Sequence, residues 1–126
     1  QRMNEINPLL AKEEYCYLTT TGRVSGRPHE IEIWFGLRNN TLYILSGGRD
    51  KSDWVKNLMK NPSVTVRIAG QTFAGTARLV REQAEDRMAR HLVAEKYHEM
   101  DDENTPDEWA RTALPVAIDL TPAKDL

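Results

Sequence analysis

The sequence predicts a mainly β protein with helices (α+β): about six short strands, mostly antiparallel, rolled into a small closed or partly closed barrel. Two observations lead there. Short segments alternate apolar and polar residues with a period of two, the mark of half-buried strands. Several are joined by turns such as Asn39-Asn40 and Gly70-Gln71, too short for the crossover that a parallel pair needs. Six short antiparallel strands in a chain of 126 residues favour a barrel over an open sheet, because closure leaves no exposed edges.

Each element has its own signal. Residues 8–14 read as a short helical lead-in. Residues 15–21, rich in aromatic and β-branched side chains, read as a strand. Gly22, Gly26 and Pro28 make 22–28 a turn. Residues 29–37 alternate, with Ile31, Ile33, Phe35 and Leu37 on one side and Glu30, Glu32, Trp34 and Gly36 on the other. After the Asn39-Asn40 turn, 41–46 returns, so 29–46 is expected as one hairpin. Gly47 and Gly48 break the strand. Asp50 or Ser52 then caps a helix to about residue 60, with Trp54, Val55, Leu58 and Met59 as its apolar stripe and Asn61-Pro62 as its stop. Residues 63–69 and 72–80 form a second hairpin around Gly70-Gln71. Residues 83–99 read as a helix with Met88, Ala89, Leu92 and Val93 inward. The acidic stretch 99–103 reads as a solvated loop. Thr105-Pro106-Asp107-Glu108 has the form of a capping box opening a short helix, and 115–120 is a last strand.

The length suits one domain, expected over residues 1–126, since domains cluster at roughly 100–150 residues. With 40% hydrophobic and 29% charged residues, the composition is that of a globular protein. No apolar run reaches membrane-spanning length, and residues 1–8 have no signal-peptide core. The single cysteine, Cys16, excludes an internal disulfide framework and suits a reducing cytoplasm. Three scattered histidines beside it make no zinc pattern, so no metal is expected. The net charge of −2 hides an asymmetry. Residues 20–80 carry nine basic and four acidic side chains (+5), whereas 81–126 carry six and twelve (−6). A basic middle suggests a small anionic ligand. With a pI of about 5.9 and no dense basic run, nucleic acid is not the expected partner.

Two segments in that basic middle carry the chemistry. The turn 22–28 offers Arg23, Arg27, the Ser25 hydroxyl and glycine-exposed amides, a donor set that suits phosphates and carboxylates; the bland alternative is a solvated turn with surface arginines. The segment 46–52 runs from a strand end into a helix start, with Ser46, Gly47, Gly48, Arg49 and Lys51. Its glycines admit a ligand close to the backbone, and the helix start adds partial positive charge; it reads equally as a plain strand–helix connection. Trp54 is either core packing or a ligand wall. Trp34, on the strand face opposite Ile33 and Phe35, has a face for a partner subunit, a helix or a flat ligand. His29 ends the basic turn and has hydrogen-bonding capacity. There is no Ser/His/Asp grouping and no paired-carboxylate pattern, so no catalytic side chain is assigned and a cofactor is expected to carry the reaction.

Taken in order, residues 18–28, the strand to Phe35, Ser46 to Lys51, Trp54 to Leu58 and Asn61 to Val66 resemble the deazaflavin-dependent nitroreductase family of split β-barrel flavin and deazaflavin oxidoreductases, related to pyridoxamine-phosphate oxidases. The resemblance covers about 15–80 closely and continues more loosely to residue 116. It implies a six-stranded antiparallel split β-barrel, similar to FMN-binding split barrels, that binds coenzyme F420, a 5-deazaflavin with an anionic phosphate-linked oligoglutamate tail. By position it implies cofactor contacts from Arg23, Ser25, Gly26, Arg27, Pro28, Ser46, Gly47, Gly48, Arg49, Lys51 and Trp54. Asn57 is a weaker, structural transfer. The implied reaction is hydride transfer between the reduced cofactor and a small organic acceptor of the quinone, nitroaromatic or enone class. Trp34, Tyr97, His98 and Trp109 are the acceptor-side candidates. A homodimer is expected, with Trp34 suited to its interface. The sequence departs from the family's tyrosine-rich C-terminal part at residues 100–104, which bears on nitro reduction itself. Two alternatives stand beside this reading. One is an FMN-binding split-barrel oxidoreductase, for which four cations are more than one phosphate needs. The other is a non-catalytic carrier of a flavin-like or apolar ligand.

Overall fold

In a computed structural model that describes residues 5–121, nine strands and three α-helices follow a short 3-10 turn at Pro8–Lys12. They run β1 (Cys16–Thr21), β2 (Pro28–Ile33), β3 (Gly36–Arg38), β4 (Thr41–Ser46), α1 (Asp53–Lys60), β5 (Ser63–Ile68), β6 (Gln71–Leu79), α2 (Gln83–Lys96), β7 (Met100–Asp102), β8 (Thr105–Pro106), α3 (Glu108–Thr112) and β9 (Leu114–Thr121). Seven strands form one sheet in the order β2-β1-β5-β6-β9-β4-β3, and β7 and β8 form a separate ribbon. Every neighbouring pair in the large sheet is antiparallel, as the short connections require.

The sheet order explains the barrel. β2 and β3 lie at opposite edges, yet only Trp34 and Phe35 separate them in the chain. Three peptide steps span at most about 11 Å, so the sheet curls until its edges meet. The joint is fastened from α2. The Tyr97 hydroxyl accepts from the Phe35 N–H (3.0 Å) and donates toward the Glu14 carbonyl (2.6 Å). The Lys96 ammonium donates to the Phe35 carbonyl (2.9 Å). This geometry corrects the single strand expected over 29–37. Its first part pairs with β1, Cys16 opposite Ile33 through Thr21 opposite Pro28, and only β3–β4 is a hairpin, turned at Asn39 with φ 57°. The fold is therefore a seven-stranded half-barrel of the split-barrel kind, one strand more than expected.

Two apolar layers hold it together. Leu18, Phe35, Leu42, Ile44, Val66, Ile68, Val116 and Ile118 are fully buried in the barrel interior. Tyr43, Leu45 and Ala117, on the opposite faces of β4 and β9, pack under α2 and α3 through Ala89, Val93, Ala94 and Ala110. These two strands are thus covered on both sides. Gly36 is required where α2 crosses β3, since a Cβ there would lie 2.8 Å from a Leu92 methyl.

Four local expectations are corrected. Met59 is 56% exposed and the buried face of α1 is Val55, Asn57 and Leu58. α2 ends at Lys96, and the chain turns at His98 with φ 61°. Part of the acidic stretch 99–103 is strand β7. Thr105 and Pro106 are held in β8 against it, so α3 starts later and is capped by Asp107, whose carboxylate accepts from the Ala110 N–H (3.0 Å).

Candidate functional site

The basic turn is folded on itself. The Gly22 N–H donates to the Arg27 carbonyl (2.8 Å) and the Gly26 N–H to the Gly22 carbonyl (2.9 Å), with Gly26 at φ 74°. Ser25 Oγ accepts from the Arg27 N–H (3.1 Å). A buried amide ties the turn to α1. Asn57 Oδ1 accepts from the Arg23 N–H (3.1 Å) and from Arg23 Nη1 (2.9 Å), while its Nδ2 donates to Thr20 Oγ1 (3.2 Å). Arg23 also pairs with Asp53 (3.1 Å). Arg23 is therefore partly neutralised and partly structural. The side chain of Arg27 makes no hydrogen bond or ion pair with the described residues, nor does that of Lys51, and both are exposed.

Between this turn, β2 and the start of α1 lies a cleft of about 510 Å³. Arg23, Val24, Ser25, His29, Ile31, Asp53, Trp54 and Asn57 are among its lining residues. That volume falls in the range of cofactor sites, roughly 300–1,000 Å³. Its chemistry is mixed. One cation, two carboxylates (Glu30 and Asp53, the latter paired with Arg23), two hydroxyls including Thr20, an amide and an imidazole sit beside apolar Val24, Ile31 and Trp54. Gly22 forms part of the wall because a Cβ there would lie 2.7 Å from both His29 Nε2 and Ser25 Oγ. Sequence reasoning left out Asp53 and Ile31, which give no signal of their own. It placed His29 beside the turn without assigning it.

The second motif stands next to α1 rather than inside the cleft. Arg49, Asp50 and Lys51 form a 3-10 turn. Ser46 Oγ is 2.9 Å from the Arg49 carbonyl and 3.0 Å from Ser52 Oγ, so the serines brace the loop and Ser52 makes no side-chain cap to α1. Gly47 lets the loop pass close to Trp109, since a Cβ there would make a tight contact of 3.0 Å with the indole nitrogen. Arg49, at φ 56°, donates from Nη1 to the Thr112 carbonyl. Of the predicted cofactor residues, Arg23, Ser25 and Trp54 meet in the cleft; Gly26, Arg27, Pro28, Ser46, Gly47, Gly48, Arg49 and Lys51 are not among its lining residues.

Three of the four acceptor-side candidates come together. Trp34 stacks on Tyr97 with ring centroids 4.2 Å apart and planes 6° from parallel. Trp109 meets Trp34 edge-on at 5.9 Å. Trp34 thus has an aromatic partner within its own chain. His98 is exposed and outside this cluster. Burial raises the Tyr97 hydroxyl to about 12, which keeps it neutral. The thiol of fully buried Cys16 is likewise pushed up to about 12 by burial and is no nucleophile. Among the described residues no cluster suits a metal ion, and no helix is long and apolar enough to cross a membrane.

This architecture, a curled antiparallel sheet, is that of the split-barrel proteins. An F420-H2-dependent reductase, FDR-A, superposes with a TM-score of 0.63 at 22% identity, over 90-odd per cent of its own chain (92%) and 83% of this one. An F420 reductase gives 0.57 at 20% identity, covering 91% of each chain. The heme storage protein HutZ from Vibrio cholerae gives 0.67 at 18%, covering 92% of this chain and 86% of its own. At such identities the likeness shows the fold alone. None of the curated proteins matches the chain in sequence. The sequence itself is more specific: residues 2–121 match the F420H(2)-dependent quinone reductase family, and the chain belongs to that family. It is an F420-dependent oxidoreductase.

Proposed function

We propose that the cleft beside the basic turn is where coenzyme F420 binds, and that the loop 46–51 completes the anion-binding side of the site. The observation that carries this is the meeting of Arg23, Ser25 and Trp54 in one cleft, although they come from two motifs separated in sequence. The residues suit the coenzyme's chemistry. Apolar Trp54 and Ile31 offer a wall for a flat ring, and the donors of Arg23 and Ser25 suit an anion. Gly26 and Pro28 shape the turn, and Gly47 and Gly48 keep the loop backbone open to approach. Ser46 and Arg49 hold that loop, while Arg27 and Lys51 supply unpaired positive charge to the tail. When bound, reduced F420 supplies a hydride. The chain's part is to bind, orient and shield, and Trp34, Tyr97 and Trp109 form an aromatic surface for a planar acceptor. The family's description favours a quinone as that acceptor, with nitroaromatics and enones as further members of the class.

Titration with F420, read by tryptophan fluorescence, tests the site. In the double variant Arg27→Ala/Lys51→Ala the Kd is expected to rise by about tenfold or more, and its salt dependence to flatten. An unchanged Kd, or a response to FMN alone, overturns the assignment. Oxidation of the reduced coenzyme by a panel of quinones, nitroaromatics and enones then identifies the acceptor. A nitroaromatic preferred over every quinone overturns that part.

A further inference from the structure

We propose that Arg90 is a positioning residue for the coenzyme site, acting through α3 on the loop 46–51. This rests on the reading that the loop faces the coenzyme. The last carbonyls of a helix have no partners within it. In α3, Arg90 Nη1 lies within hydrogen-bond distance of the carbonyls of Ala110 (2.7 Å), Arg111 (3.0 Å) and Ala113 (2.7 Å). The one between them, Thr112, accepts from Arg49. Two arginines, one from α2 and one from the loop, therefore close the negative end of the same short helix.

Arg90 is itself fixed. Its Nε donates to Asp86 Oδ1 at 2.6 Å, one helical turn earlier, and its side chain is only 18% exposed. Its neighbour on α2, Ala89, is fully buried against the sheet. On the other side of α3, the Trp109 indole fills the space above Gly47. Arg49 has a left-handed backbone that a residue of its kind disfavours, so contacts must hold it there. Ser46 Oγ supplies one within the loop, and α3 supplies the Thr112 carbonyl to its side chain and Trp109 beside Gly47. A five-residue helix has little stability of its own. Buried Ala110 and Ala113 and the Arg111–Asp101 pair hold its body, and Arg90 fixes its C-terminal end, where Thr112 meets the loop.

Arg90→Met keeps the aliphatic stem and removes the guanidinium. In the coenzyme-free protein, faster amide exchange is expected at residues 47–51, including the Lys51 N–H that bonds the Gly48 carbonyl. The Kd for F420 is expected to rise by about tenfold, with a smaller effect on kcat at saturating coenzyme. Millimolar guanidinium should restore part of the affinity. Gly47→Ala presses on Trp109 from the loop side. Because both changes release the same contact, their effects on Kd should be less than multiplicative in the double variant. Wild-type exchange and affinity in Arg90→Met, or fully multiplicative effects, overturn the inference. Lys51→Ala separates the two readings. If it weakens F420 binding while Arg90→Met does not, positioning fails and the site stands. If it leaves binding unchanged, the site reading fails and takes this inference with it.

Discussion

At the scale of single residues, the least conspicuous side chain in the site is the most constrained. Asn57 is 5% exposed and its amide serves Arg23 and Thr20 together. Replacing it by Ala leaves the Arg23 N–H and the buried Thr20 hydroxyl without partners, which costs ~3 kcal/mol. Urea unfolding of Asn57→Ala should show that loss, and F420 affinity should fall with it as the turn detaches from α1. Stability within about 1 kcal/mol of wild type would contradict this account. The sequence carried only part of it. The donor types of the basic turn were legible, because glycines and arginines in a turn are a local signal. Which cations are free was not. Arg23 is engaged by Asp53 and Asn57, 30 and 34 residues away, and Arg49 by a carbonyl 63 residues away. A count of charges treats both like Arg27 and Lys51.

Elements were legible where a face alternates and obscure where the fold itself decides. β1, β5 and β6 are long enough for period-two burial to show, whereas β4 and β9, covered on both sides, are buried almost throughout. Residues 29–37 alternate equally well, yet they divide at Trp34-Phe35 because the two halves belong to opposite sheet edges. Strands of two or three residues, as in β7 and β8, have no period to read. The docking of α2 was predicted by its apolar side, but its polar anchor was not. Arg78 on β6 bonds both Glu85 (2.8 Å) and Asp119 (2.8 Å), and the Tyr43 hydroxyl donates to Glu85 (2.7 Å). The Arg78 hydrogen bond, then that of Tyr43, lowers Glu85 from 4.5 to about 2. A carboxylate depressed in the folded state contributes stability that is present above its ordinary value and lost as pH falls toward 2. Glu85→Gln should therefore be less stable than wild type at pH 6, and the gap should narrow between pH 4.5 and 2. Parallel denaturation curves across that range would refute the anchor.

For the whole molecule, barrel closure is concentrated at one joint. Phe35, fully buried between the two edge strands, is held by Tyr97 and Lys96 at the end of α2. The Lys96 ammonium also lies 3.7 Å from the Phe35 ring centroid. Burial lowers this lysine from its ordinary 10.5 to about 8, opposed by the nearby acidic groups, Glu13 and Glu14 among them. The sign follows from proton counting. Below about pH 8 the lysine is charged in both folded and unfolded chains, and its desolvation cost is present in full. Above that, the folded protein sheds the proton while the unfolded chain keeps it to about 10.5, so stability climbs. The neutral amine still donates to the Phe35 carbonyl, and the joint survives. Cys16, Tyr43 and Tyr97 act in the opposite sense. Burial raises them from 9.0, 10.0 and 10.0 to about 12, so their contribution is full at lower pH and shrinks above about 9. The lysine is thus read in isolation between pH 8 and 9. There the melting temperature of the wild type should rise relative to that of Lys96→Met, whose own profile stays flat. Above about pH 10 both proteins should lose stability together as the thiol and phenols ionise. Identical slopes between pH 8 and 9 would place the Lys96 ammonium in water and remove it from the joint.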